Sequence, residues 1–219
     1  MFTDFVTYTT NSAAIVSVTF GRPRVYTDLA HSPLVGTASL QFHHISPNIK
    51  SQIQASAPLP IGIKWGSLQT TWEDLTVDAT ISSYAFGLYC LAGGSNLLGA
   101  NNCYMAGLER VGATFRMWIG KSVVGITQNV SVLLSTVSTG AWVNGIQFTQ
   151  KFSWKISGTT IELKTQTWNV GSTISGTLSV VDTSGAFTTY TSGEGFFAHN
   201  NCAAITLIFA DTTIIGKIS

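Results

Sequence analysis

Residues 148–168, FTQKFSWKISGTTIELKTQTW, carry the clearest alternation of apolar and polar positions in the chain. Phe148, Gln150, Phe152, Trp154 and Ile156 fall on one side of a period-2 pattern, and Thr149, Lys151, Ser153 and Lys155 on the other. Ser157-Gly158 interrupts it. Alternation resumes from Thr160 to Trp168, with Ile161 and Leu163 opposed to Glu162 and Lys164. A period of two sends successive side chains to opposite faces of a strand, so the segment predicts a β-hairpin with one buried and one wet face.

Weaker signals of the same kind recur through the second two-thirds of the chain. Leu75, Val77, Ala79 and Ile81 alternate with Thr76, Asp78 and Thr80, which predicts a strand. Residues 84–91, YAFGLYCL, are apolar on both faces, as a central strand is. After the loop GGSNLLGANN, residues 103–110, CYMAGLER, supply its antiparallel partner. Ala113, Phe115, Met117 and Ile119 form the next strand, ended by Gly120-Lys121. Residues 130–137 favour a strand over a short helix because of their β-branched content. The turn STGAWVNG follows, and strands at 174–187 and 195–215 complete the set. No helix is expected. Strand signals about ten residues apart, separated by glycine-containing turns, indicate an all-β sandwich or barrel.

Residues 1–64 differ. They hold all five prolines (Pro23, Pro33, Pro47, Pro58 and Pro60) and three of the four histidines. Val16, Val18 and Phe20 suggest one strand. The remainder is an extended proline-containing segment, either an arm reaching a neighbouring subunit or edge strands of the same sandwich. The expected organisation is 1–64 as N-terminal arm or edge strands and 65–219 as the sandwich.

Composition narrows the functional classes. Only 10% of residues are charged, against a usual ~25%, so Ser, Thr, Asn and Gln must make the polar surface. The eleven basic residues form no run and the net charge is +1, which argues against a nucleic-acid groove. The N-terminus has no basic n-region followed by an apolar run, so no signal peptide is expected. No segment approaches the ~18 apolar residues of a membrane span, so no membrane insertion is expected. A Thr-rich, charge-poor β protein of this kind suits a component of a virus particle, made in a host cytoplasm. Surfaces low in charge bury against neighbours at little desolvation cost. A homo-oligomer, with a trimer favoured, in contact with other virion proteins is the corresponding expectation.

Reactive chemistry is sparse. Cys90, Cys103 and Cys202 are odd in number; free buried thiols are expected over a Cys90–Cys103 bridge across a hairpin. There is no CxxC, and His43-His44 would point to opposite faces of a strand, so no metal centre is expected. No G-x-S-x-G elbow aims a serine nucleophile. Sugar binding needs an exposed aromatic platform beside planar amide or carboxylate groups. Candidates are Trp142 with Asn144 in GAWVNG, then Asn101, Asn102 and Tyr104 at the mouth of the central hairpin, and Trp168 beside Asn169. The wet hairpin face with Lys151, Lys155, Glu162 and Lys164 is expected to be scaffold.

Five stretches share an order with a known family: Trp72-Glu73-Asp74-Leu75-Thr76-Val77-Asp78-Ala79, GLYCLAGG followed by NNCYMAGLER, KFSWKISGTTIELKTQTWN, TSGEGFFA, and FADTTI. Over residues 65–219 this order resembles the laminin G-like branch of the concanavalin A-like lectin/glucanase jelly rolls, including virion proteins of tailed bacteriophages. The resemblance implies a jelly-roll β-sandwich. It implies a non-enzymatic structural subunit of a virion (capsid decoration, tail or adhesin) or a carbohydrate-binding lectin that meets a host-surface glycan. Glycosidase members carry an E-x-D-x-x-E strand. Among the ten acids here only Asp74 and Asp78 share a strand at i, i+4, and they are expected to be solvated surface carboxylates. Retaining hydrolysis needs two carboxyls about 5–5.5 Å apart, so no catalytic residue and no enzyme activity is expected. Calcium, common in the family, would draw on Asp182 and Asp211, neither of them in a DxD motif. No other cofactor is implied.

Overall fold

The computed structural model describes residues 5–9, 14–18, 24–26, 40–44, 50–55, 64–76, 83–91, 103–112, 114–122, 132–141, 145–168, 175–184, 194–200 and 205–217. These residues form strands joined by turns, with no helix among them. In chain order the strands are β1 (Phe5–Thr9), β2 (Ala14–Val18), β3 (Arg24–Tyr26), β4 (Leu40–His44), β5 (Lys50–Ala55), β6 (Trp65–Asp74), β7 (Ser83–Cys90) and β8 (Cys103–Val111). There follow β9 (Thr114–Ser122), β10 (Val132–Ala141), β11 (Ile146–Ser157), β12 (Thr160–Trp168), β13 (Gly176–Asp182), β14 (Gly195–Asn200) and β15 (Ile205–Lys217).

They build two sheets. The seven-stranded sheet has the order β1-β5-β14-β7-β8-β9-β10, and the eight-stranded sheet β13-β12-β11-β6-β15-β4-β2. Neighbours along both orders are antiparallel, while β3 joins β15 in parallel. Strands from residues 1–64 enter both sheets, β5 lying between β1 and β14 and β4 between β15 and β2.

The 148–168 alternation becomes the β11–β12 hairpin, with Ser157 paired to Thr160. Gly158 takes φ 61°, the left-handed conformation that a two-residue hairpin turn asks for. The Thr160 hydroxyl donates to the Ser157 carbonyl at 2.9 Å and closes the turn. The apolar segment 84–91 is central as expected, flanked by β14 and β8.

Two elements differ from the sequence expectation. The strand predicted from Leu75 to Ile81 does not include Leu75 and Thr76, which follow the end of a strand at Trp65–Asp74, where Leu68, Thr70, Trp72 and Asp74 alternate into the interior. It ends at Asp74 because that carboxylate accepts the Thr76 backbone N–H at 3.0 Å, an Asx-type turn that competes with the ladder. Residues 77–82 lie outside the described residues. The turn expected from Ser138 is delayed, since β10 runs on to Ala141. Register shifts between Leu133 and Ser135 and between Ser138 and Gly140 let it follow β9 that far.

The core lies between the sheets and is largely aromatic. Trp72 of the eight-stranded sheet meets Phe86 of the other edge-on at 4.9 Å between ring centroids. Phe148 meets Phe86 and Phe115 across the same gap. Such pairs contribute about 0.5–1.5 kcal/mol each beyond simple burial. Polar side chains also bridge the two sheets, Gln150 through the middle of the core. Gln150 accepts from the Trp72 indole N–H at 3.0 Å and donates through Nε2 to the Ala106 carbonyl of the opposite sheet, also at 3.0 Å. A second buried cluster, Tyr89, Cys103, Met105, Trp118 and Phe197, lies on the seven-stranded sheet's other face. Trp118 lies flat over Gly107, where a Cβ would stand 2.1 Å from the indole ring.

Candidate functional site

Apart from Glu194, which lies near Cys90, the buried charges of the described sandwich form two groups. In one, Asp74 accepts from the Tyr84 hydroxyl, and the Arg110 guanidinium lies 5.8 Å from the centre of the Tyr84 ring. Burial first, then the Asp74 charge, drives the Tyr84 phenol far above its ordinary pKa. In the other, Asp182 accepts from Tyr104 Oη at 2.6 Å, Lys121 Nζ at 3.0 Å and the Ser184 backbone N–H at 3.0 Å. Burial alone would raise the Asp182 carboxyl. The hydrogen bonds outweigh it and hold the group well below the usual carboxylate range. Tyr104 is pushed the opposite way, by burial and then by its bond to Asp182. Both aspartates are thus committed to internal partners.

Several expectations change here. Asp74 is buried rather than solvated; Asp78 lies outside the described residues. Tyr104 offers no sugar platform: it is fully buried in the core and its hydroxyl is spent on Asp182. Asp182 is a poor calcium ligand, because the ammonium of Lys121 already occupies the position a cation would take. The side chain of Asp211 lies outside those described, as do Asn101, Asn102, Trp142 and Asn144. Cys90 and Cys103 are buried free thiols. Burial lifts the pKa of both, and the nearby Glu194 charge adds to the effect at Cys90. No three of His, Cys, Asp and Glu gather into a metal cluster among the described residues.

Trp168 is the one proposed sugar contact that the described structure leaves open, 41% exposed at the end of β12. It stands on the outer face of the eight-stranded sheet, the wet side of the hairpin. The register places that face in cross-strand rows. Trp65, Lys155, Glu162 and Val181 form one row across β6, β11, β12 and β13. Ser67, Ser153, Lys164 and Ser179 form the next, then Gln69, Lys151, Gln166 and Thr177, then Thr71, Thr149 and Trp168.

The first two rows border a groove of about 480 Å³. Half-buried Trp65 stands at one side and Val181, 55% exposed, at the other. Ser153, Lys155, Glu162, Lys164 and Ser179 supply hydroxyls and charges between them. The floor is stiff: Trp154 and Leu163 are buried beneath it, and the Trp154 ring lies over Gly66, where a Cβ would come within 2.2 Å. The sequence pattern marked Ser153, Lys155, Glu162 and Lys164 as surface but gave no sign of concavity, because register across four strands and the half-buried indole of Trp65 create it.

No protein-family model matches the sequence, and none of the curated proteins matches it. Solved structures do match in fold. The metal-free Emp46p carbohydrate recognition domain is 10% identical, with a TM-score of 0.53 over 97% of this chain and 88% of that one. The lectin from Bauhinia forficata in complex with GalNAc is 11% identical, with a TM-score of 0.51 over 95% and 91%. The Emp47p carbohydrate recognition domain is 11% identical, with a TM-score of 0.50 over 91% and 88%. At such identities the likeness establishes architecture alone: the chain has a concanavalin A-like jelly-roll fold.

Proposed function

We propose that this protein is a non-enzymatic carbohydrate-binding module that takes its ligand in the outer-face groove beside Trp65. The groove itself carries the reading. An indole offers an apolar face to a sugar's C–H surface, and hydroxyls and charged groups within the same recess can bond its hydroxyls. The lectin-type architecture agrees with it, since neighbours in fold are carbohydrate recognition domains and a lectin holding GalNAc. The engagement of Asp74 and Asp182 with tyrosines supports binding without hydrolysis. The virus-particle role expected from composition has no observation behind it in the fold, so glycan recognition becomes the first reading.

A glycan array probed with the intact protein and with Trp65→Ala tests this. The intact protein should retain at least one glycan class. Loss of the indole should weaken that binding about two- to thirteenfold, the range of about 0.5–1.5 kcal/mol for an aromatic contact. Absence of binding to every glycan, or binding indifferent to Trp65→Ala, would contradict the proposal.

A further inference from the structure

The groove is one end of a longer strip on the same face. From the row of Trp65 to that of Trp168 the register advances six residues along β11, about 20 Å, and two strands across, about 10 Å. Each of the first three rows contributes one lysine: Lys155, then Lys164, then Lys151. Successive rows are two residues apart, so the ammonium groups rise in steps of about 7 Å. Among the described residues none of the three is in an ion pair. Glu162 is the single carboxylate of the three rows, and Glu73 lies beyond the row of Trp168. The strip therefore carries net positive charge on a chain with a formal charge of only +1.

Amide and hydroxyl side chains fill the intervening positions: Ser153, Gln69, Gln166, Thr177, Thr149 and Thr71. Their mutual contacts are long, 3.4 Å between Gln166 Nε2 and Thr177 Oγ1 and 3.4 Å between the hydroxyls of Thr71 and Thr149. Such bonds are readily exchanged for bonds to a ligand.

We infer that this strip, from Trp65 to Trp168, binds an extended acidic saccharide whose repeating anionic groups lie along the lysine ladder. The inference deepens the glycan reading and rests on it. Regularly spaced, unpaired cations match a polymer with a repeating negative charge. Indoles near both ends suit sugar C–H faces, and the hydroxyls and amides between them suit ring hydroxyls. A nucleic acid is the less favoured occupant. The strip has no arginine, and its two indoles stand too far apart to stack successive bases.

Isothermal titration of the full chain with a polyuronate, a sulfated galactosaminoglycan, polysialic acid, neutral dextran and single-stranded DNA tests it. At least one acidic glycan should bind more tightly than dextran and DNA, and binding should weaken as salt rises. The triple variant Lys151→Gln/Lys155→Gln/Lys164→Gln should bind it about tenfold less tightly. Arg116→Gln, on the other sheet, should change nothing. Trp168→Ala should also weaken it, though this end lies outside the groove. Circular dichroism of each variant shows that it is folded. If neutral and acidic glycans bind equally and the triple variant is unaffected, the lysine ladder is overturned while glycan binding stands. If DNA binds most tightly, the saccharide assignment is overturned. If no saccharide binds at all, both readings fall.

Discussion

Two tryptophans in the same core illustrate how differently one residue type is held. Trp72 and Trp154 are both almost fully buried on the inner face of the eight-stranded sheet. The indole N–H of Trp72 donates to Gln150, whereas that of Trp154 is buried with no partner among the described residues. A buried donor without an acceptor costs about 1–3 kcal/mol, and a satisfied one contributes about 0.5–1.5 kcal/mol net. Replacement by phenylalanine removes similar volume at both sites, so the difference isolates the hydrogen bond. Trp72→Phe also strands the Gln150 side-chain oxygen in the core. It should therefore lose about 1–3 kcal/mol more stability than Trp154→Phe in urea denaturation, and equal losses would refute the assignment of these bonds. Neither role was legible in the sequence, where Trp154 sits in the clearer pattern and looks the better placed. The Trp72 indole nitrogen is satisfied by a glutamine that the alternation marks only as inward-facing.

At the scale of elements, legibility followed burial. The β11–β12 hairpin and the β7–β8–β9 meander alternate cleanly or are apolar on both faces, and each lies where the pattern predicts. The pattern misled where a side chain rewrites the backbone's hydrogen bonds. Asp74 stops β6 before Leu75 and Thr76, which the alternation had assigned to a strand. The bulges of β10 carry it past the serine, threonine and glycine that looked like a turn. Tyr104 was misread for a related reason: it follows a polar loop, yet its cross-strand partners Cys90 and Lys121 place it inside. The cluster it joins ties β8, β9 and β13 through Asp182. Because those bonds depress the Asp182 pKa, its ionised form stabilises the fold fully above the unfolded value of about 3.9. That contribution is lost as pH falls towards the lower folded value, where the unfolded chain binds the extra proton. Between pH 7 and pH 3 the intact protein should lose more stability in denaturant titrations than Asp182→Asn does. An identical loss in both would show that Asp182 does not set the acid limit.

For the molecule as a whole, the two sheets divide the labour. The seven-stranded sheet is buried on both faces in its centre, with Trp118 packed on Gly107 and the Trp72–Phe86 core on the other side. The eight-stranded sheet turns one face inward and leaves the other wet across β11 to β13, which frees that face for a ligand. The hairpin that looked like scaffold in the sequence thus supplies the groove's charges, on a backbone held from beneath by Trp154, Leu163 and Phe152. Lysine acetylation read by mass spectrometry, with and without the bound glycan, tests this division most directly. Lys155 and Lys164 at the groove, with Lys151 beside them, should be protected by the glycan while lysines elsewhere label as before. Protection confined to other lysines, with these three fully reactive in the complex, would contradict the account.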